Sequence, residues 1–240
     1  MILLSVILSA AVAGLVQSVT GFGAAVVMML VLPHFFSIPA ASSIASAVCL
    51  GLNLVLLVRF RRHLDWRLWL LPTLPYLLTS TAAIHMVGQL DLKLLSAAFG
   101  GFLMVLAGYF FLFAHRAFLR PSWQSAVLCG AASGVTSGLF GIGGPLLSLY
   151  FLPASGSKER YTANLQCSFF VTNLLNMFTR LSEGIMTADL IPLILAAFLA
   201  INVGKEVGLR ILGRLDEEKL RKLVYLFVGL SGLLNLLQNI

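Results

Sequence analysis

The chain has 240 residues, of which 59% are hydrophobic and only 10% carry a charge. A typical soluble domain is about 45–50% apolar and about 25% charged, so this composition excludes a soluble enzyme and predicts an integral membrane protein. The net charge is +7, but the basic residues lie in short gaps between apolar segments rather than in patches interleaved with aromatics, so no nucleic-acid partner is expected.

The first apolar segment begins at Ile2 without a basic region before it or a nearby cleavage site. We therefore expect it to be retained as a helix rather than removed as a signal peptide. The cysteines, Cys49, Cys129 and Cys167, lie within apolar segments and form no C-x-x-C or Cys/His cluster. We expect them to be buried thiols, with no metal site, and the lack of a P-loop argues against an ATP cofactor.

Apolar segments predict that the chain is entirely α-helical. Most of them can cross a hydrocarbon core of about 30 Å at about 1.5 Å per residue. The segments that follow Gly23 and Gly143 are shorter, because Pro33 and Pro153 interrupt them, and each predicts one limb of a broken helical hairpin. In chain order, we predict a broken hairpin at 2–36, helices at 39–58, 68–86 and 94–114, a second broken hairpin at 122–152, and helices at 161–179, 190–204 and 222–238.

The second half of the chain repeats the first at an offset of 120 residues. Glycine, proline and asparagine coincide without a gap, which indicates a duplication: the offset places Gly21 on Gly141, Gly23 on Gly143, Pro33 on Pro153, Asn53 on Asn173 and Pro72 on Pro192. We therefore predict a first repeat at 1–114, a connecting loop at 115–121 and a second repeat at 122–240.

Loop charge predicts that the two repeats are inverted. If each repeat crosses the membrane an odd number of times, the segments 59–67 and 205–222 lie on the same side of the membrane. All basic residues except Lys93 and Arg180 then fall on that side. The positive-inside rule makes that side cytoplasmic and places both termini outside the cytoplasm. Inverted repeats are the layout of many secondary transporters.

The glycine-rich breaks, T-G-F-G at 20–23 and F-G-I-G-G at 140–144, are the main functional candidates. A helix that begins inside the membrane exposes unpaired backbone N–H groups and the positive end of its dipole, which together favour an anion. We expect glycine at these breaks because a ligand approaches the backbone and because the φ values suit only glycine. The alternative is that the glycines only allow close helix packing.

Polar residues follow each break on one helix face. Ser42, Ser46 and Asn53 share a face, and so do their partners at the offset, Thr162, Gln166 and Asn173. We expect these faces to line the same cavity as the breaks, although such groups can also join helices by hydrogen bonds. The predicted substrate-binding residues are Gln17, Thr20, Gly21, Phe22, Gly23, Ser46, Asn53, Ser137, Gly141, Ile142, Gly143, Gly144, Gln166 and Asn173.

The predicted site contains no basic residue of its own. No Lys or Arg lies within 17–25, 42–53, 136–147 or 162–176. We therefore expect helix ends and neutral donors alone to hold the anion, without a fixed positive charge. No enzymatic activity is expected, because the chain has no H-E-x-x-H, no G-x-S-x-G and no pair of intramembrane aspartates.

The motifs T-G-F-G-A-A at 20–25 and F-G-I-G-G-P-L-L at 140–147, with the repeat and the length, resemble the TauE/SafE family. Its members are sulfite and organosulfonate exporters, also called the toluene sulfonate uptake permease family, and the resemblance covers essentially the whole chain. Two features depart from the family pattern: Ala24-Ala25 replaces glycines in the first break, and A-N-L-Q-C-S stands at 163–168.

The resemblance implies a multi-pass secondary transporter of small sulfur-containing anions, such as sulfite, thiosulfate or organosulfonates, in a bacterial or archaeal plasma membrane. Its expected partners are a small anionic substrate and the lipid bilayer; the sequence does not determine the oligomeric state, for which a homodimer is one option. The alternatives are a passive anion channel and a permease of the same fold for a non-sulfur organic anion. A membrane scaffold is disfavoured because it has no need of two helix breaks.

Overall fold

The computed structural model describes residues 2–113, 120–211, 226, 228–233 and 236–237. These residues form no β-strand, which confirms the all-α prediction. The predicted connecting loop at 115–121 lies outside the described residues except for 120 and 121, and the predicted helix at 222–238 is described only in short pieces, which are helical. The helices are α1 (Ile2–Thr20), α2 (Ala24–Val31), α3 (Ile38–Phe60), α4 (Trp66–Val87), α5 (Leu92–Phe113), α6 (Trp123–Phe140), α7 (Gly144–Ser155), α8 (Lys158–Ser182) and α9 (Ile191–Ile211).

Among the described residues, five helical segments are long and apolar enough to cross a membrane. Their outward faces carry large exposed apolar side chains, such as Leu78, which is 73% exposed, and Val105, which is 72% exposed. Such a surface suits lipid and would aggregate in water. The protein is therefore a multi-pass membrane protein, with candidate spans at Ile2–Thr20, Ile38–His63, Trp66–Val87, Leu92–Tyr109 and Ala188–Arg210.

Both breaks occur where the glycines predict them. Gly21, Gly23 and Gly141 have φ values of 84°, 106° and 72°, in the left-handed region that other residues rarely adopt. Gly143 is different, because its φ of −109° suits any residue, so the prediction of a glycine-only backbone is wrong there. A side chain at Gly143 would instead collide with the hydroxyl group of Tyr76.

Glycine also sets how the helices pack. A Cβ atom at Gly14 in α1 would collide with the carbonyl group of Ile201 in α9, and one at Gly134 in α6 would collide with that of Tyr76 in α4. Small residues at such positions let helix backbones approach closely in a membrane. The 120-residue offset relates α1 to α6 and α4 to α9, so the two pairs are equivalent contacts between the halves.

Helices α3 and α8 lie side by side and run antiparallel. Ser46 of α3 contacts Arg180 near the end of α8, whereas Asp65, just beyond α3, contacts Arg160 near its start. Their polar side chains point inward, since Ser46, Asn53 and most polar residues of α8 are buried. The inverted relation between the two repeats stays a prediction.

Candidate functional site

Gln17, near the end of α1, organises the space between the breaks. Its side-chain oxygen accepts a 3.2 Å hydrogen bond from the backbone N–H of Ala24, the first residue of α2. Its amide nitrogen donates to the side-chain oxygens of Asn53, at 2.7 Å, and Gln166, at 3.2 Å. Gln17 therefore caps α2 and joins it to α1, α3 and α8.

These bonds leave a donor unused on Asn53. The Ala24 N–H can only donate, so it fixes the orientation of the Gln17 amide, which in turn requires the Asn53 oxygen to face Gln17. The amide nitrogen of Asn53 is then buried without a hydrogen-bond partner among the described residues. An unpaired buried donor costs about 1–3 kcal/mol, so this nitrogen marks a place for an acceptor.

Asn53 lines a narrow cavity of about 30 Å³ between the two breaks. The space admits little more than a water molecule in this conformation. Predicted site residues supply most of its wall: Gln17, Gly23, Asn53, Ser137, Gly141, Ile142, Gly143, Gly144 and Asn173. The sequence analysis missed Ala25, Val26, Cys49, Tyr76, Pro145 and Phe169, which complete the wall.

Two helices begin at this cavity. Gly23, which precedes α2, lines the cavity. So do Gly143, which precedes α7, and Gly144, which is the first residue of α7. The first backbone N–H groups of a helix have no partner within it, and the N-terminal end of its dipole is positive. Pro145 lies in the first turn of α7, where no N–H is required. The geometry thus places two positive helix ends beside the unpaired donor of Asn53.

The remaining predicted residues, Thr20, Gly21, Phe22, Ser46 and Gln166, lie beside the cavity rather than in its wall. The hydroxyl of Thr20 lies 2.6 Å from the carbonyl oxygen of Phe22 and holds the turn after α1. Gln166 donates a 2.7 Å hydrogen bond to the carbonyl oxygen of Gly21. Ser46 is bonded to Arg180. These residues support the site through hydrogen bonds among themselves and, for Ser46, with Arg180.

Arg180 is the functional candidate that the sequence analysis missed. The predicted helix ends at 179, but α8 continues to Ser182, and Arg180 is only 1% exposed. Its guanidinium donates to the backbone oxygens of Ser137, at 3.1 Å, and Gly138, at 3.0 Å, and to the hydroxyl of Ser46, also at 3.0 Å. Because Ser137 lines the cavity, Arg180 lies just behind the wall, although the wall itself contains no Lys or Arg. A signal was available, since Arg180 lies seven residues after Asn173 and therefore on the same helix face.

A larger vestibule of about 560 Å³ lies on the other side of Gln17. Gln17 lines both spaces and so stands between them. Arg59 and Lys158 also line the vestibule, and such cations raise the local concentration of anions. The rest of its wall consists of Ser18, Val19, Thr20, Gly21, Leu56, Phe60, Leu152, Pro153, Gly156, Ser157, Glu159, Tyr161, Thr162 and Leu209.

Asp65 connects helix starts near the vestibule. It accepts hydrogen bonds from the backbone N–H groups of Arg67, at 3.0 Å, and Leu68, at 3.2 Å, and so caps α4. It also pairs with Arg160 in the first turn of α8. The Leu68 N–H, followed by Arg160, holds the pKa of the Asp65 carboxyl below its ordinary value.

Comparison with known proteins identifies the family. The chain matches the family described as Sulfite exporter TauE/SafE over residues 6–234, a range that includes both breaks, the narrow cavity and the vestibule. No curated protein and no solved structure gives a significant match. The family match confirms the resemblance of the glycine-rich motifs, and TauE/SafE proteins are membrane transporters of sulfite and related anions. This chain belongs to the TauE/SafE sulfite exporter family.

Proposed function

We propose that this protein is a secondary transporter that moves a small sulfur-containing anion, such as sulfite, thiosulfate or an organosulfonate, across the plasma membrane. The observation that carries the proposal is the buried, unpaired amide nitrogen of Asn53 in a cavity where α2 and α7 begin. Each helix start supplies a positive end equivalent to about half an elementary charge. Oxygen atoms of a sulfonate or sulfite group would accept the unused hydrogen bonds.

Alternating access would come from two inverted repeats that move around the cavity. Two observations support this arrangement: α3 and α8 run antiparallel, and the pairs α1–α9 and α6–α4 make equivalent glycine-mediated contacts. The cavity lies between the breaks of the two repeats. A rotation of one repeat against the other would therefore open it to one side of the membrane at a time.

The vestibule is the proposed route to the site. Its volume of about 560 Å³ lies in the range of small-molecule pockets, about 300–1,000 Å³. It lies near the Arg59 end of α3, which the charge distribution assigns to the cytoplasm. Gln17 lines both spaces, so we expect it to move before an anion passes from the vestibule into the narrow cavity. Such a gate would favour a transporter over a continuously open channel.

Transport by the purified protein in liposomes tests the proposal. Labelled sulfite and thiosulfate are offered with an imposed proton gradient while the membrane potential is held at zero, and we expect accumulation above the external concentration. Flux that only dissipates a substrate gradient would instead identify a passive anion channel. Empty liposomes and the Asn53→Asp variant serve as controls.

A thermal-shift panel tests the class of substrate independently. It contains sulfite, thiosulfate, sulfoacetate, taurine, sulfate and several carboxylates. We expect monoanionic sulfonates and bisulfite to stabilise the protein more than sulfate does, because a divalent anion loses more hydration on entering the cavity. Stabilisation by carboxylates alone would contradict the sulfur assignment and favour a permease for a non-sulfur organic anion.

A further inference from the structure

The second break presents two helix ends to the cavity, and their charges oppose one another. Gly143 and Gly144 mark the positive start of α7, but Ser137 and Gly141 at the negative end of α6 line the same cavity. The two ends are equivalent to about +0.5 and −0.5 elementary charge. A broken helix alone therefore provides little net attraction for an anion.

Arg180 changes this balance at the second break. Its guanidinium occupies the carbonyl oxygens of Ser137 and Gly138, which belong to the last turn of α6. Among the described residues, no carboxylate pairs with the Arg180 guanidinium. A full positive charge set against a partial negative one leaves a net positive charge behind the wall of the cavity.

The first break shows that capping does not require a charged residue. There, the neutral side chain of Gln166 donates to the carbonyl oxygen of Gly21 at the end of α1. The residue that corresponds to Arg180 at the 120-residue offset is Phe60, which carries no charge. Burying a cation inside a membrane protein without an acidic partner is costly. Its presence at one break only therefore calls for a role beyond helix capping.

The guanidinium is close enough to act on an anion in the cavity. Asn173 lines the cavity seven residues before Arg180 in α8, about 10 Å along the helix axis. The Arg180 side chain extends back toward that level, because it reaches Ser137, which also lines the cavity. At about 6–10 Å and an effective dielectric constant near 20, one charge changes the affinity for a monoanion by about ten- to a hundredfold.

We infer that Arg180 is the residue that makes this site select anions over neutral molecules of the same shape. It does so by neutralising the carbonyl end of α6 and by adding a net positive charge next to the cavity. The inference deepens the proposed function and rests on it for the location of the substrate. The alternative is that Arg180 only ties α8 to α6 and α3.

The test compares the affinities of a charged and an uncharged ligand of similar shape, methanesulfonate and methanesulfonamide, in Arg180→Gln and Arg180→Lys. We expect Arg180→Gln to lower the affinity for methanesulfonate by about ten- to a hundredfold and to leave that for methanesulfonamide unchanged. Arg180→Lys should restore most of the affinity for the anion. Arg67→Gln, which removes an exposed charge that lines neither the cavity nor the vestibule, is the matched control and should bind both ligands as the parent does.

A second variant leaves Arg180 in place and offsets its positive charge with a neighbouring carboxylate. Ser46 lies 3.0 Å from the guanidinium, so Ser46→Asp should give Arg180 an ionic partner and weaken methanesulfonate binding selectively. This variant decides the question if Arg180→Gln fails to fold. The inference would be overturned if a folded variant kept the parental ratio of affinities for methanesulfonate and methanesulfonamide. Equal losses of affinity for both ligands change no such ratio and would also overturn it. If the parent binds acetate but no sulfonate, the proposed substrate class is wrong, and acetate compared with acetamide still tests Arg180.

Discussion

Gln17 donates a 2.7 Å hydrogen bond to Asn53, a residue 36 positions further along the chain, and this bond lies at the boundary between the vestibule and the narrow cavity. The same amide group also bonds to Gln166 in α8. One neutral side chain thus holds helices from both halves together at the boundary between the two spaces. Neutral hydrogen bonds of about 0.5–1.5 kcal/mol each are weak enough to exchange during transport.

We predict that Gln17→Ala opens the narrow cavity to the vestibule. Cys49 lines that cavity, so its reaction with a small thiol reagent reports access, in a background where Cys129 and Cys167 are replaced by serine. The variant should react several-fold faster than the parent, and substrate should slow the reaction. Cys49→Ser, which lacks the reporting thiol, gives the rate of non-specific labelling. Equal rates in parent and variant would show that Gln17 does not control entry.

Asn53 and Asn173 are predicted to bind the anion directly. Alanine at either position should weaken affinity by about 1–3 kcal/mol, because each loses a hydrogen bond to a charged group. Asn53→Asp should abolish binding. One carboxylate oxygen of the aspartate can still accept the hydrogen bond from Gln17, but the other would face the cavity and repel the anion. Titration calorimetry measures these changes.

Asn202→Ala is the matched control for the two asparagines. Its side chain bonds to the carbonyl oxygen of Phe198 within α9 and does not line the cavity. We expect it to bind substrate as the parent does. If Asn53→Ala and Asn173→Ala also bind with parental affinity, these polar faces serve helix packing and the site lies elsewhere.

The glycines of the second break should tolerate no side chain. Gly141→Ala should be destabilised by about 1–3 kcal/mol, because alanine is strained at a positive φ. Gly143→Ala should also lower the melting temperature, through its collision with Tyr76. Gly101→Ala is the control: its Cβ meets nothing within 4 Å, and alanine favours a helix over glycine by about 1 kcal/mol. Parental stability and transport in both break variants would show that the breaks accept side chains.

The loop at 59–67 is predicted to face the cytoplasm, because basic residues concentrate on that side. Arg61 is exposed there, and Gln89 is exposed in the loop between α4 and α5, at the other end of α4. In intact cells, an impermeant thiol reagent should label Gln89→Cys from outside and should reach Arg61→Cys only after the membrane is opened. Labelling of Arg61→Cys from outside would reverse the assigned orientation.

Asp65 should make stability depend on pH in the acidic range. Its pKa is lowered in the folded state, so its carboxylate stabilises the fold above its ordinary pKa of 3.8 and loses that contribution as the pH falls through the folded-state pKa. Below about pH 4, the melting temperature of the parent should therefore fall more steeply than that of Asp65→Asn. Arg160→Gln retains the two backbone hydrogen bonds to Asp65 and should show an intermediate slope. Equal slopes in all three proteins would exclude this role.

Local features of the sequence predicted the parts of the fold that depend on local chemistry. Gly21, Gly23 and Gly141 end or begin helices because few other residues adopt their φ values. Apolar segments of sufficient length became helices because lipid leaves a backbone no other way to satisfy its hydrogen bonds. The reason for Gly143 was mistaken, since its constraint comes from Tyr76, a residue 67 positions away.

The sequence by itself thus determined a helical membrane protein with two glycine breaks, a family, and a set of polar residues from which a site could be built. Only the tertiary structure decided which of them face the cavity and which bond to one another, as Gln166 does with Gln17, 149 residues away. It also brought Arg180 to the end of α6. The physical reason is that helix periodicity assigns a residue to a face, whereas the partner of that face depends on how distant helices pack.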